Sequence, residues 1–170
     1  MRRVRYAVAM SLDGYIAGPE GEADWIIMDP DIDFGALFEQ FDTFLMGRRT
    51  FEPMARVKKG ETPGVKTFVF SRTLRQQDYP GVTIVAEGAE ETVAALRAGP
   101  GKDIWLFGGG SLFRSLLDAG LVDTVEVAII PVLLGEGIAL LPSPAKQKKL
   151  KLTGHKIYKT GIVSLEYSIE

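Results

Sequence analysis

The stretch Asp103-Ile104-Trp105-Leu106-Phe107-Gly108-Gly109-Gly110-Ser111-Leu112-Phe113-Arg114-Ser115-Leu116-Leu117 decides how the rest of the chain is read. An apolar run meets three glycines, after which Leu112, Phe113, Leu116 and Leu117 recur at helical spacing. The pattern predicts a buried strand, a tight turn and a helix with one apolar face. Glycine in the turn lets a second backbone or a ligand approach without a Cβ in the way. The helix after it aims free N–H groups and the positive end of its dipole at whatever lies over the turn, which suits a nucleotide phosphate. The spacing is neither G-x-G-x-x-G nor a P-loop, because no Gly-Lys-Ser/Thr follows. Taken alone, the stretch reads equally well as a plain strand–helix junction.

The chain has 170 residues, 46% of them hydrophobic and 25% charged, which predicts one well-buried core and a single domain over residues 1–170. A net charge of −2 argues against a nucleic-acid partner, since such proteins are usually basic. With no cysteine and one histidine, His155, disulfides, thiolate zinc sites and histidine-cluster metal sites are excluded, and no metal is expected. No Gly-x-Ser-x-Gly motif is present for a hydrolase nucleophile. The apolar run after Met1-Arg2-Arg3-Val4-Arg5 is interrupted at Asp13, unlike a secretory signal, and no run approaches a membrane span. A cytoplasmic protein with no membrane partner is the expectation.

Outward from the glycine turn, residues 4–10, 43–46, 66–70, 83–85 and 121–130 read as further strands, and 90–97 as a helix. Asp29-Pro30-Asp31-Ile32-Asp33 offers acidic caps for another helix, with Phe34, Leu37, Phe38 and Phe41 on its apolar face. A carboxylate at the mouth of an apolar pocket also holds its proton to higher pH and can deliver it. Residues 11–18 read as a turn-rich loop, and Trp25-Ile26-Ile27-Met28 as a candidate lid. Residues 150–158 and 162–169 predict an antiparallel hairpin around Lys159-Thr160-Gly161, with His155 on its surface.

Strands alternating with helices predict a three-layer α/β/α fold with a mostly parallel sheet, whose ligands sit beyond the carboxyl ends of the strands. Three segments fall there: Gly47-Arg48-Arg49-Thr50, with Thr50 as a helix cap, Ser71-Arg72-Thr73, and Gly108-Gly109-Gly110-Ser111. Together they suit a dinucleotide carrying an extra phosphate, one guanidinium being reserved for a 2′-phosphate. That predicts NADPH and hydride transfer.

Five segments in order carry a resemblance to a known family: Ala9-Met10-Ser11-Leu12-Asp13-Gly14-Tyr15-Ile16-Ala17, Met46-Gly47-Arg48-Arg49-Thr50-Phe51-Glu52, Val69-Phe70-Ser71-Arg72-Thr73-Leu74, and residues 107–113 and 130–137. The chain resembles the dihydrofolate reductase superfamily, in the branch of the riboflavin-biosynthesis reductase domain, as a stand-alone member. The resemblance implies about eight strands in the sheet with a C-terminal antiparallel hairpin. It implies that Gly47, Arg48, Arg49 and Thr50 hold cofactor phosphates, and that Ser71 and Arg72 meet the adenosine end. It further implies that Gly108, Gly109, Gly110, Ser111, Leu112 and Phe113 cradle the pyrophosphate, with Ala9 and Ile16 beside the nicotinamide. Residues 18–28, Trp25 included, would form the lid, and Asp33, with Asp31 as second choice, would assist protonation of the substrate.

Two positions depart from the family patterns. Ala128 stands where folate enzymes carry a threonine, and Tyr15 where riboflavin-pathway reductases usually carry a basic residue. The implied activity is NADPH-dependent transfer of hydride to a C=N or C=O bond of a small pterin- or pyrimidine-like heterocycle. The alternative is an NADP(H)-binding protein of the same fold without reductase activity. The apolar stretch 129–141, with the habit of relatives, predicts a homodimer.

Overall fold

The computed structural model describes residues 1–170. In chain order it forms β1 (Val4–Ser11), β2 (Tyr15–Ala17), α1 (Phe34–Phe38), β3 (Phe41–Gly47), α2 (Arg48–Ala55), β4 (Lys66–Phe70) and β5 (Thr83–Val85). There follow α3 (Ala89–Ala98), β6 (Asp103–Gly108), α4 (Gly110–Asp118), β7 (Thr124–Ile130), β8 (Ile138–Ala139), β9 (Leu150–Ile157) and β10 (Val163–Ile169). Eight strands make one sheet in the order β5-β4-β3-β6-β1-β7-β10-β9. From β5 to β7 every neighbouring pair is parallel, and β10 joins β7 and β9 antiparallel. The α/β architecture is the expected one.

Alternation along the strands separates two cores, because successive strand side chains point to opposite faces. On one face Tyr6, Leu45, Ile104 and Leu106 pack under Phe113 and Leu116 of α4 and Val93 of α3. On the other, Phe44, Met46, Val69 and Trp105 pack against Phe51 of α2. The helix after the three glycines therefore buries the face that its spacing predicted, and Phe113 stacks on Tyr6 with ring centroids 3.9 Å apart.

Four local expectations change. Phe41 is not on the first helix; α1 is only five residues long, and Phe41 begins β3. Gly35 weakens that helix, while the sheet offers Phe41 the Trp105 ring at 4.9 Å and the Arg5 guanidinium at 4.6 Å. Thr50 is not a cap: α2 starts at Arg48 with Gly47 in the N-cap position, so Thr50 lies in the first turn. The strand read over 121–130 begins only at Thr124, Leu121 and Val122 being buried where the chain leaves α4. Residues 11–18 are not all loop, because Tyr15 and Ala17 pair with Ala139 and Ile138 in a small antiparallel ribbon.

The stretch 129–141 spends much of its apolar surface inside the molecule, Ile129, Leu140 and Leu141 packing against the first core. At the end of the sheet away from the glycine turn, the Arg5 guanidinium grips Glu126 through two hydrogen bonds of 2.7 and 2.8 Å. Arg5 also donates to Gln40 Oε1 at 2.7 Å, and the Thr124 hydroxyl donates to Glu126 at 2.7 Å. Arg5 is 5% exposed, so this is a buried ion pair between two interior strands rather than a solvated one.

Candidate functional site

Because β1, β3, β4, β5, β6 and β7 all run in one direction, the turns that follow them gather on a single rim. The three glycines after β6 are there for three different reasons. Gly108 has φ +119°, a conformation L side chains rarely adopt. A Cβ on Gly110 would lie 2.8 Å from the Pro142 ring and 2.9 Å from the Ala139 carbonyl oxygen. Gly109 has an extended backbone (φ −74°, ψ −172°) that admits any residue, and a Cβ there would meet no atom within 4 Å. Packing does not explain Gly109, whereas a ligand laid against the turn would use that space.

The turn after β3 lies against the same place. A Cβ on Gly47 would sit 3.6 Å from the Gly109 nitrogen. Both α2 and α4 start from a glycine N-cap, and no side chain caps either. Their first N–H groups thus remain free for an outside acceptor, as an anion site requires. Of the two arginines here, Arg48 is partly engaged by Glu52 at 2.9 Å on its own helix, whereas Arg49 is exposed and outside every ion pair.

After β4, the Ser71 hydroxyl accepts from the Thr73 and Leu74 N–H groups at 3.2 and 3.1 Å, which folds its own turn. Ser71 and Arg72 line one side of a concavity of about 270 Å³, and Ala86, Glu87 and Gly88 after β5 line the other. Ser111 and Leu112 start α4, and Phe113 turns inward to Tyr6 rather than toward the rim. Ala9 and Ala128 are register partners on β1 and β7, both half-buried, and Ile16 lies in the β2–β8 ribbon. No group of three or more histidine, cysteine or acidic side chains converges as a metal site.

The Ser-x-Asp-Gly motif has a structural task that spacing alone did not show. Asp13 accepts from the Ser11 hydroxyl at 2.6 Å and from the Leu134 and Gly135 N–H groups at 3.1 and 2.8 Å. It knits the turn after β1 to the glycine loop after β7. The Ser11 hydroxyl first, then the Gly135 amide, hold the Asp13 carboxyl below the usual carboxylate range. Replacing Asp13 by alanine is expected to speed amide hydrogen exchange at Leu134 and Gly135 several-fold with global melting little changed, since these are solvent-facing loop amides. Lowering the pH through the depressed Asp13 pKa should loosen the same amides in the unaltered protein, because protonation weakens charge-assisted acceptance.

Among the acidic residues before α1, Asp33 is exposed and accepts from the Ala36 N–H at 3.0 Å, capping the helix. Asp31 is exposed as well, and its N–H donates to Asp29 at 2.8 Å. Asp29, 3% exposed, also accepts from the Thr160 hydroxyl at 2.6 Å in the turn between β9 and β10. The Thr160 hydroxyl and then the Asp31 amide hold its carboxyl below the usual range. A partner 131 residues away leaves no local signal, which is why sequence treated Asp29 only as another cap. Trp25 folds back on its own loop, its indole N–H donating to the Glu22 carbonyl at 2.9 Å, while Met28 is 65% exposed.

An eight-stranded sheet of this order, with glycine and arginine turns on one rim, defines the dihydrofolate reductase-like class. Enterococcus faecalis dihydrofolate reductase, solved with NADP(H), superimposes with a TM-score of 0.72 at 19% identity, covering 99% of this chain and 96% of that one. The RibD C-terminal domain family matches residues 2–164, and the chain belongs to that family. A structure described as a riboflavin biosynthesis protein from Shewanella sp. superimposes with a TM-score of 0.82 at 25% identity, over 100% of this chain and 99% of that one. The Bacillus subtilis protein YyaP is 37% identical over 98% of this chain and 94% of its own length. The riboflavin biosynthesis protein RibD of Corynebacterium ammoniagenes is 28% identical over 80% of this chain and 45% of its own length. No helix is long and apolar enough to cross a membrane.

Proposed function

We propose that the protein is an NADPH-dependent reductase of a small pyrimidine- or pterin-like heterocycle. The observation that carries this reading is Gly109, whose missing Cβ leaves open space between two uncapped helix starts. Dihydrofolate reductase-like neighbours and the RibD family support the same reading. Bound there, NADPH would supply a hydride from its nicotinamide ring. The chain's own part is to hold and orient. Gly47, Arg48, Arg49 and Thr50 take the phosphates from one side, and Gly108 to Leu112 take the pyrophosphate from the other, with Phe113 anchoring their helix to the core. Ser71 and Arg72 receive the adenosine end.

Ala9 and Ala128 carry small side chains at the ends of adjacent strands, and Ile16 closes the side of that space. Residues 18–28, with Trp25, cover it and keep water out. Asp33, or a water held by it or by Asp31, delivers the proton that balances the hydride.

Calorimetric titration with NADPH and NADH, followed by NADPH oxidation against pyrimidine and pterin acceptors, tests this. Binding with turnover supports the reductase, and an Asp33→Asn variant should then lose most turnover and its pH dependence while keeping NADPH affinity. No binding of either nucleotide overturns it. One observation favours the second reading, NADP(H) binding without reduction: Asp33 is already employed as a helix cap. Binding with no oxidation by any acceptor would support that reading. Homodimerisation belongs to the same proposal, and light scattering of the purified protein should give twice the chain mass. The edge strand β9, with Leu150, Leu152 and Ile157 exposed, is the surface that supports it.

A further inference from the structure

The concavity between the ends of β4 and β5 holds one side chain of each sign. Arg72 lies on the β4 side and Glu87 on the β5 side, and both are exposed. No ion pair joins them, or joins either to another residue. The Arg72 charge suits an anion. Glu87 opposes one, and it is not explained by the helix beside it.

Glu90 and Glu91 already place negative charge in the first turn of α3, where it complements the helix dipole. Glu87 comes before the helix, separated from it by Gly88, whose left-handed conformation (φ 72°, ψ 38°) turns the chain at the concavity. The Ser71 N–H donates to the Val85 carbonyl at 3.0 Å, which fixes the two strand ends and hence the spacing of the walls.

We propose that Glu87 is a cofactor-selecting residue. Its carboxylate accepts a hydrogen bond from an unphosphorylated ribose 2′-hydroxyl and repels a 2′-phosphate, while Arg72 does the reverse. The balance between them keeps the preference for NADPH over NADH small, and NADH is a usable ligand. This rests on the cofactor reading proposed above. The physical basis is simple: an acceptor-only group pairs with a hydroxyl donor but not with a dianion, and a guanidinium pairs with the dianion.

The test is calorimetric binding of NADPH and of NADH to the unaltered protein and to Glu87→Gln, Glu87→Lys and Arg72→Gln, each at low and high salt. Glu87→Gln should tighten NADPH and weaken NADH, moving their affinity ratio toward NADPH roughly three- to tenfold, the range expected for one exposed charge. Glu87→Lys should move it further, Arg72→Gln should move it the other way, and high salt should shrink all three shifts. A ratio unchanged within twofold in both Glu87 variants, with the unaltered protein binding NADPH, overturns the role of Glu87 and leaves the cofactor reading standing. A ratio in the unaltered protein already above about a thousand in favour of NADPH also overturns it, since Glu87 is then not limiting discrimination. Failure of the unaltered protein to bind either nucleotide overturns this inference together with the cofactor reading.

Discussion

Gly109→Ala is expected to weaken NADPH binding about a hundredfold while the protein melts within a degree or two of its unaltered temperature. The first half follows from close approach: a methyl group placed between ligand and backbone overpacks the contact, and overpacking costs about 1–3 kcal/mol, up to roughly a hundredfold in affinity. The second half follows from the site itself, where the backbone is extended and the added Cβ meets nothing within 4 Å. The neighbouring glycines provide the contrast. Gly110→Ala drives a methyl group to within 2.9 Å of Pro142 and the Ala139 carbonyl oxygen, and Gly108→Ala forces an L residue to φ +119°. Both should lower the melting temperature, by several degrees for overpacking of this kind. Calorimetry and thermal melting of the three variants separate the readings. If Gly109→Ala binds NADPH unchanged, the turn is only a strand–helix junction.

Glu126→Gln should be strongly destabilising, costing about 3 kcal/mol, the low end of what removing one partner of a buried ion pair costs, because Asp103 still faces Arg5. The Arg5 side chain is 6% exposed and the Glu126 side chain 12%, so the guanidinium cannot turn to water and is left with Asp103, at 3.3 Å, as its remaining carboxylate. A loss of that size lowers the melting temperature of a chain of this length by about 10 °C. Replacing both partners, as in Arg5→Met with Glu126→Leu, should recover much of it, because no charge is then left buried.

The same pair predicts a pH dependence. Burial pushes the Glu126 carboxyl up, but the hydrogen bonds from Arg5 and Thr124 and the Arg5 charge outweigh it, and its pKa lies below the usual value. A depressed carboxylate pKa contributes stability that is fully present above the unfolded value, about 4.3. That contribution falls away as the pH drops through the folded value. Acid unfolding followed by circular dichroism should therefore begin below about pH 4.5 in the unaltered protein, and this part of the slope should vanish in Glu126→Gln.

What sequence by itself determined was whatever depends on period and on backbone chemistry. The alternation of Trp105 and Phe107 with Ile104 and Leu106, and the helical recurrence of Phe113, Leu116 and Leu117, were enough to state the strand, the turn and the buried helix face, because both periods are local. Gathering three turns on one rim also followed from sequence, since parallel strands joined by helices must present their carboxyl ends together. The three glycines, however, look alike in sequence, and only the packed structure distinguishes the strained one, the crowded one and the one facing open space.

The same limit governs the charged residues. Phe41 was misread as helical because its real partners, Trp105 and Arg5, are brought to it by the sheet. Asp29, Asp13 and Glu126 each have, beside a partner two residues away, one more than a hundred residues away: Thr160, the loop at Leu134 and Gly135, and Arg5. Burial and hydrogen bonding of a carboxylate belong to the three-dimensional neighbourhood, not to its neighbours in the chain. For that reason the gathering of the glycine and arginine turns on one rim was legible before the fold was seen, and the placement of Arg72 and Glu87 on one concavity was not.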